Sequence, residues 1–191
     1  METLTAIRQR RSVRRYTEEP ISEEELKLIL EAGLAAPSGL NLQPWYFVAV
    51  RSEEKRRELA AIMEQVEERI RPELEDRFPT HPEIISETRQ FIRTLGNAPA
   101  ILLAFLMRDD YAEKRTALLS VAAAVENAIL AARDLGIASC WLAAPEQTGF
   151  GPEIRDRFAP GKGELVATVT LGHAVSWPRM VARRDGRCAI L

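Results

Sequence analysis

At 191 residues, with 46% hydrophobic and 28% charged side chains, the chain has the size and composition of one globular domain, which argues against disorder. Its 26 basic and 28 acidic groups leave a net charge of -2, so no overall field draws it toward nucleic acid or an anionic membrane. No unbroken apolar run approaches the ~20 residues of a membrane span, and Met1-Glu2-Thr3-Leu4-Thr5 lacks the pattern of a signal peptide. Cys140 and Cys188 are too few for a disulfide scaffold, and with His81 and His173 too scattered for a zinc site. Two reduced thiols in a cytoplasmic protein are the expectation.

Along the chain, helices alternate with short apolar strands. Ser22-Glu23-Glu24-Glu25 forms a capping box, and the helix it starts carries Leu26, Ile29, Leu30 and Leu34 before stopping ahead of Pro37. Trp45 to Val50 is aromatic and β-branched, a strand. A highly charged helix is predicted from about Glu53 to Ile70. Pro72, Pro79 and Pro82 are then expected to break the chain before a further helix over Glu83 to Leu95. The section from Arg71 to Leu95 is polar and amphipathic, and is expected as a surface excursion or lid outside the core.

Pro99 to Leu106 is continuously apolar, as in a strand buried on both faces. Thr116 to Leu135 is an alanine-rich helix, apolar all round and therefore expected to be buried, and Gly136 ends it. Ile137 to Leu142 is a short strand, Pro152 to Phe158 a brief helix, and Leu165 to Leu171 a last strand; the tail from His173 has no clear period. This pattern predicts one α+β domain spanning 1–191, with a central sheet of about four strands and helices on its faces.

The chemistry-bearing candidates are few. No nucleophile elbow, Walker loop or dinucleotide fingerprint is present, so any enzymatic chemistry points to a bound cofactor. Arg10-Arg11-Ser12-Val13-Arg14-Arg15-Tyr16 gathers guanidinium groups around a hydroxyl, which suits a phosphate; a solvated basic helix end is the competing explanation. Pro37-Ser38-Gly39-Leu40-Asn41-Leu42-Gln43-Pro44 is a polar turn able to hydrogen-bond the edge of a flat ring, or simply a helix-to-strand loop. Trp45 and Trp141 are expected in the core, and Asn127 is expected to satisfy a neighbouring backbone group.

Taken in order, these stretches resemble the nitroreductase family of FMN-dependent oxidoreductases. The resemblance rests on Arg10-Arg11-Ser12-Val13-Arg14 after a short first helix, and on Ala36-Pro37-Ser38 with Asn41, Gln43, Pro44 and Trp45. It continues through Glu126-Asn127 in the alanine-rich helix into Leu135-Gly136-Ile137-Ala138-Ser139-Cys140-Trp141, and ends on the strand to Gly172 and a basic tail. His173-Ala174 stands where the family commonly has an aromatic residue and a proline.

The resemblance implies a mostly antiparallel sheet of four to five strands. It also implies an obligate-type homodimer with two FMN sites at the subunit interface. Arg10 and Ser12 would hold the FMN phosphate with Arg11 beside them, and Arg14 would lie near the pyrimidine end of the flavin. Pro37, Ser38, Asn41 and Gln43 would approach the same flavin, the turn coming from the partner chain. Trp141, Leu142 and Ala143 would line the ring by backbone contacts, with Arg183 or its neighbour Arg184 at the phosphate. FMN would accept hydride from NADH or NADPH and pass it to a small electron-poor acceptor such as a nitroaromatic, quinone or enone. A biosynthetic flavin dehydrogenase, a dehalogenase and a non-catalytic FMN-binding regulator are the alternatives.

Overall fold

The computed structural model describes residues 2–107 and 113–190. In chain order the elements are α1 (Thr3–Gln9), α2 (Glu23–Leu34), β1 (Trp45–Val50), α3 (Glu53–Arg77), α4 (Pro82–Thr94) and β2 (Ala100–Leu106). There follow α5 (Lys114–Asp134), β3 (Ala138–Leu142), α6 (Ala144–Gln147), α7 (Gly151–Phe158) and β4 (Leu165–Gly172). The four strands form one sheet in the order β1-β2-β4-β3, and every neighbouring pair is antiparallel. Beyond β3 a parallel bridge from Ser12 to Ser139 extends that edge without forming a full fifth strand.

Side-chain alternation along β2 explains why it lies inside. All seven of its residues are buried. Ala100, Leu102, Ala104 and Leu106 face a core shared with α2 and α5, while Ile101, Leu103 and Phe105 face a second core under α3 and α4. A strand apolar on both faces has no solvent side to offer, so it needs a helical layer above and below. The small residues on one side match the alanine-rich α5, whose Ala117, Ala124, Ala128 and Ala132 let the helix axis lie close to the sheet. On β4, Thr168 and Thr170 are also fully buried, and Thr170 meets the Tyr16 hydroxyl at 2.7 Å.

The capping box forms as expected: the Glu25 amide donates to Ser22 Oγ at 3.1 Å, and the Ser22 amide donates to the Glu25 carboxylate at 2.9 Å. Asn127 donates to the Ala32 carbonyl at 3.2 Å and so joins α5 to α2.

Four expectations need correction. Pro72 does not break the chain; α3 runs 25 residues straight through it. Proline costs about 3 kcal/mol or more inside a helix, but the flanking Ile70 and Leu74 are both buried, and each contributes about 1.5–3 kcal/mol by leaving water. The Arg71–Leu95 section is also not wholly superficial. Leu74, Phe91, Ile92 and Leu95 belong to the core, and Arg89 on α4 is ion-paired to the buried Glu67 on α3. Trp141 is 37% exposed, unlike the buried Trp45. Finally, α5 is not buried all round: Leu119 is 63% exposed and Ala122, Ala123 and Leu130 are half-buried, leaving at the surface a face of small and apolar residues around the exposed Glu126. Although no unbroken apolar run marks it in the sequence, α5 is long and apolar enough to cross a membrane by length and composition. Its inner face, buried against the sheet, accounts for that apolarity.

Candidate functional site

The segment Arg10 to Tyr16 is threaded into the fold by its backbone. The Arg10 amide closes α1 on the Ala6 carbonyl at 2.9 Å, and the Val13 amide donates to the Ser139 carbonyl of β3 at 3.0 Å. Further on, the Tyr16 amide reaches the Gly96 carbonyl at 3.3 Å, and the Val175 amide reaches the Arg15 carbonyl at 3.2 Å. Val13 and Tyr16 are buried and act as pegs. Their burial leaves Arg10, Ser12 and Arg14 at or near the surface along the β3 edge.

Among the described residues, no carboxylate pairs with Arg10, Arg14 or Arg15. Arg14 lies over the Phe91 ring, 5.8 Å from its centroid, and borders a groove of about 530 Å³ whose far wall includes Gln90 and Thr94 of α4. Arg11 differs: its guanidinium donates to the carbonyls of Arg8 and Arg10, both at 2.7 Å, and so caps α1. Burial pushes the Cys140 thiol up against the opposing pull of Arg14, Ser12 and Arg10. The Ser12–Ser139 bridge and the Val13 amide hold the segment's backbone against the same stretch of β3. Unpaired guanidinium groups around a hydroxyl form a site for an anion, and the phosphate of a nucleotide-like cofactor fits it.

Next along β3 come Trp141, Leu142 and Ala143. Leu142 is buried, while Trp141 and Ala143 are exposed beside the arginine segment. The chain then turns into α6. The Gln147 amide bonds the Ala143 carbonyl at 3.0 Å, and Arg69 of α3 donates to the Thr148 carbonyl at 2.8 Å, clamping the turn from behind.

The Pro37 to Pro44 turn is held by its own side chains. Ser38 Oγ accepts from the Gln43 amide at 3.0 Å, and Gln43 Nε2 donates to Asn41 Oδ1 at 3.1 Å. Leu40, Asn41 and Gln43 all adopt left-handed backbone, with φ of 52°, 54° and 48°. Asparagine enters that region readily, but it is unfavourable for Leu40 and Gln43, and such strain gathers at functional loops. Leu40 is 95% exposed. With Leu42 and Pro44 it roofs an apolar cavity of about 200 Å³ over Thr116, Ala117 and Ser120.

Within one chain these two halves do not meet. The turn sits on the first part of α5, where the Gly39 amide donates to Ser120 Oγ at 3.4 Å. The arginine segment sits at the other end, where Gln9 accepts from Arg133 at 2.7 Å. Ser120 and Arg133 are separated along the helix by roughly 20 Å at 1.5 Å per residue. Arg183 and Arg184 lie in the exposed tail, with no described contact to Arg10; Trp177 of the tail lies under Arg133, at 4.2 Å.

Sequence reasoning missed two features. The α4 wall of the groove comes from a segment expected outside the core. Glu146 is the other: both carboxylate oxygens are buried without a hydrogen-bond partner, and burial pushes its carboxyl up to about 7. The signal was a lone acid closing the run Cys140 to Pro145.

The comparisons with known proteins give the family. The model of the Nitroreductase family matches residues 7–173, a span that includes the arginine segment, the turn, the β3 floor and the last strand. An Archaeoglobus fulgidus relative, whose provisional name pairs NADH dehydrogenase with NAD(P)H nitroreductase, is 34% identical over 144 residues, covering 74% of this chain and 67% of the relative. A Thermus thermophilus NADH dehydrogenase is 38% identical over 122 residues, and the match spans 60% of each protein. A nitroreductase from Bacteroides fragilis, solved with bound FMN, superposes with a TM-score of 0.76 at 28% identity, over 100% of this chain and 99% of that one. In sequence along most of its length and in the arrangement of its sheet and helices, the chain belongs to the nitroreductase family.

Proposed function

We propose that the protein is an FMN-dependent oxidoreductase. It would take hydride from NADH or NADPH and pass it to a small electron-poor acceptor such as a nitroaromatic, quinone or enone. The observation that supports this most directly is the set of unpaired guanidinium groups, Arg10 and Arg14, fixed with Ser12 against β3. FMN, when bound, supplies the hydride chemistry; the chain supplies binding, orientation and charge. Arg10 and Ser12 hold the phosphate, and Arg14 offers a charge-assisted hydrogen bond to the electron-rich side of the ring. Trp141, Leu142 and Ala143 form the floor.

The working unit is a homodimer. The half-exposed face of α5, apolar apart from Glu126, with the exposed Leu4 and Ile7 of α1, offers a surface to a second copy. Two such helices packed antiparallel about a two-fold axis bring the turn of one copy to the arginine segment of the other. Pro37, Ser38, Asn41 and Gln43 then complete a site begun by the partner. Arg183 or Arg184 adds a cation from the tail.

The test is uptake of FMN by the purified chain, followed by anaerobic bleaching of the bound flavin with NADH or NADPH. A protein that stays colourless with excess FMN overturns the reading, and a flavin that stays oxidised under excess of both nucleotides overturns the reductase. The two-chain site has its own test. R10A and a turn variant, G39V, whose new side chain meets Thr116, are each expected to bind FMN more weakly at both sites when alone. Mixed dimers regain one site in two. No recovery on mixing places both halves in one chain.

A further inference from the structure

Glu146 lies on α6, three residues beyond Ala143, and one helical turn ties it to the floor of the site: Gln147 to Ala143 and Thr148 to Ala144, both at 3.0 Å. Neither carboxylate oxygen has a hydrogen-bond partner, and both are out of contact with solvent. Among the described residues, none of the cations on the elements packed on α6 is paired with Glu146. On α3, Glu67 is paired with Arg89, and Arg69 is committed to the Thr148 carbonyl and the Phe150 ring. On β4, from Leu165 to Gly172, no side chain titrates. On β3, Cys140 lies under the influence of Ser12, Arg10 and Arg14.

A carboxylate held out of water without an ion-pair partner is costly, and here burial outweighs the opposing pull of its own backbone amide, so the neutral form is favoured. Burial pushes this carboxyl up to about 7, into the range where the group changes charge at working pH. A new negative charge close by raises it further, because two like charges in a low-dielectric setting disfavour each other.

On the FMN reading above, we propose that Glu146 is the redox-linked proton acceptor of the site, protonated when the bound flavin is reduced and deprotonated when it is reoxidised. The balance is simple. Hydride, two electrons and one proton, passes from NAD(P)H to FMN, leaving NAD(P)⁺ and adding one negative charge to the flavin. Glu146 takes one proton from solvent and cancels that charge. On reoxidation the acceptor takes the hydride, and Glu146 returns the proton to solvent. The residue touches no reacting atom and acts through its charge under the floor. It is a positioning residue for charge rather than a catalytic one.

Proton uptake on flavin reduction, measured with an indicator dye on the FMN-loaded protein from pH 5 to 9, tests this. Wild type is expected to take up close to one more proton per electron pair than E146Q in a window around neutral pH, with the two proteins converging at both ends. E146D, which keeps a titrating group, is expected to restore the extra uptake. Equal proton counts in wild type and E146Q across the range overturn the proposal. If E146Q fails to fold, the infrared difference spectrum of wild type, reduced minus oxidised, still decides. A protonated-carboxyl band that grows on reduction and shifts in E146D supports the proposal, and its absence sinks it. In the flavin-free protein, infrared titration of wild type against E146D gives a carboxyl that titrates near neutrality; one that titrates in the ordinary range overturns it without reference to the cofactor. Failure to bind FMN at all removes the function proposed above, and this proposal with it. Binding and reduction without the extra proton removes this proposal alone.

Discussion

The arginine segment and the Pro37 to Pro44 turn are both short, irregular and rich in polar groups, yet they are built in opposite ways. The first is pinned by backbone bonds to β3, to Gly96 and to the start of the tail, with Val13 and Tyr16 sunk into the core. The second is tied mostly to itself, through Ser38, Asn41 and Gln43, in left-handed backbone, with Leu40 almost fully in solvent. A fixed half aims charge at a definite place. A self-supporting half that shows its apolar tip to solvent suits a surface that another molecule will cover, and here the proposed cover is a second copy.

That contrast can be broken at either half. The largest effect is expected at Gly96, whose φ of +63° and close approach to the Arg14 carbonyl leave no room; an added Cβ would sit 2.5 Å from that oxygen. Gly96→Val should cost about 2–5 kcal/mol of stability, combining left-handed strain with overpacking, and should release FMN because Arg14 shifts. Thermal unfolding and flavin retention read both; unchanged melting would mean that the arginine segment is not held there.

Glu146 comes next. Its folded carboxyl lies near 7 against 4.5 for the ordinary group. Folding therefore favours the protonated form, and stability is fully present below pH 4.5 and declines as pH rises from about 4.5 to 7. The loss amounts to about 3 kcal/mol at 1.36 kcal/mol per unit. E146Q should remove that decline. Parallel pH–stability curves for the two proteins would contradict it.

Arg10→Ala is expected to weaken FMN by roughly 1.5–3 kcal/mol, the scale of a charged hydrogen bond, with little change in melting. A wild-type flavin affinity in that variant overturns the phosphate assignment. The smallest effect belongs to the self-tied half. Ser38→Ala removes the acceptor for the Gln43 amide and should cost about 1 kcal/mol, seen in FMN affinity of the dimer more than in chain stability. A larger loss of melting temperature than of affinity would make Ser38 a folding residue first.

Much of the fold was legible in the sequence because the elements follow local rules. The capping box at Ser22, the continuous apolar run of β2 and the small residues of α5 each have a direct physical reading, and each appears where that reading puts it. Pro72 misled because a local penalty was weighed without the burial of Ile70 and Leu74 on either side. Leu119 misled in the other direction. An apolar residue on an apolar helix looks buried, but one chain supplies nothing to bury it.

By itself the sequence determined the strand and helix types, the central strand, the family likeness and the two polar stretches, because those depend on side-chain pattern and backbone preference within a few residues. Only the tertiary structure decided that Arg11 caps a helix while Arg10 and Arg14 find no carboxylate among the described residues, and that the two stretches lie at opposite ends of α5. It also placed the Glu146 carboxylate out of water with no ion-pair partner among the described residues. Distances between segments and the loss of solvent around a charge arise from how layers stack, and no local run of residues encodes them.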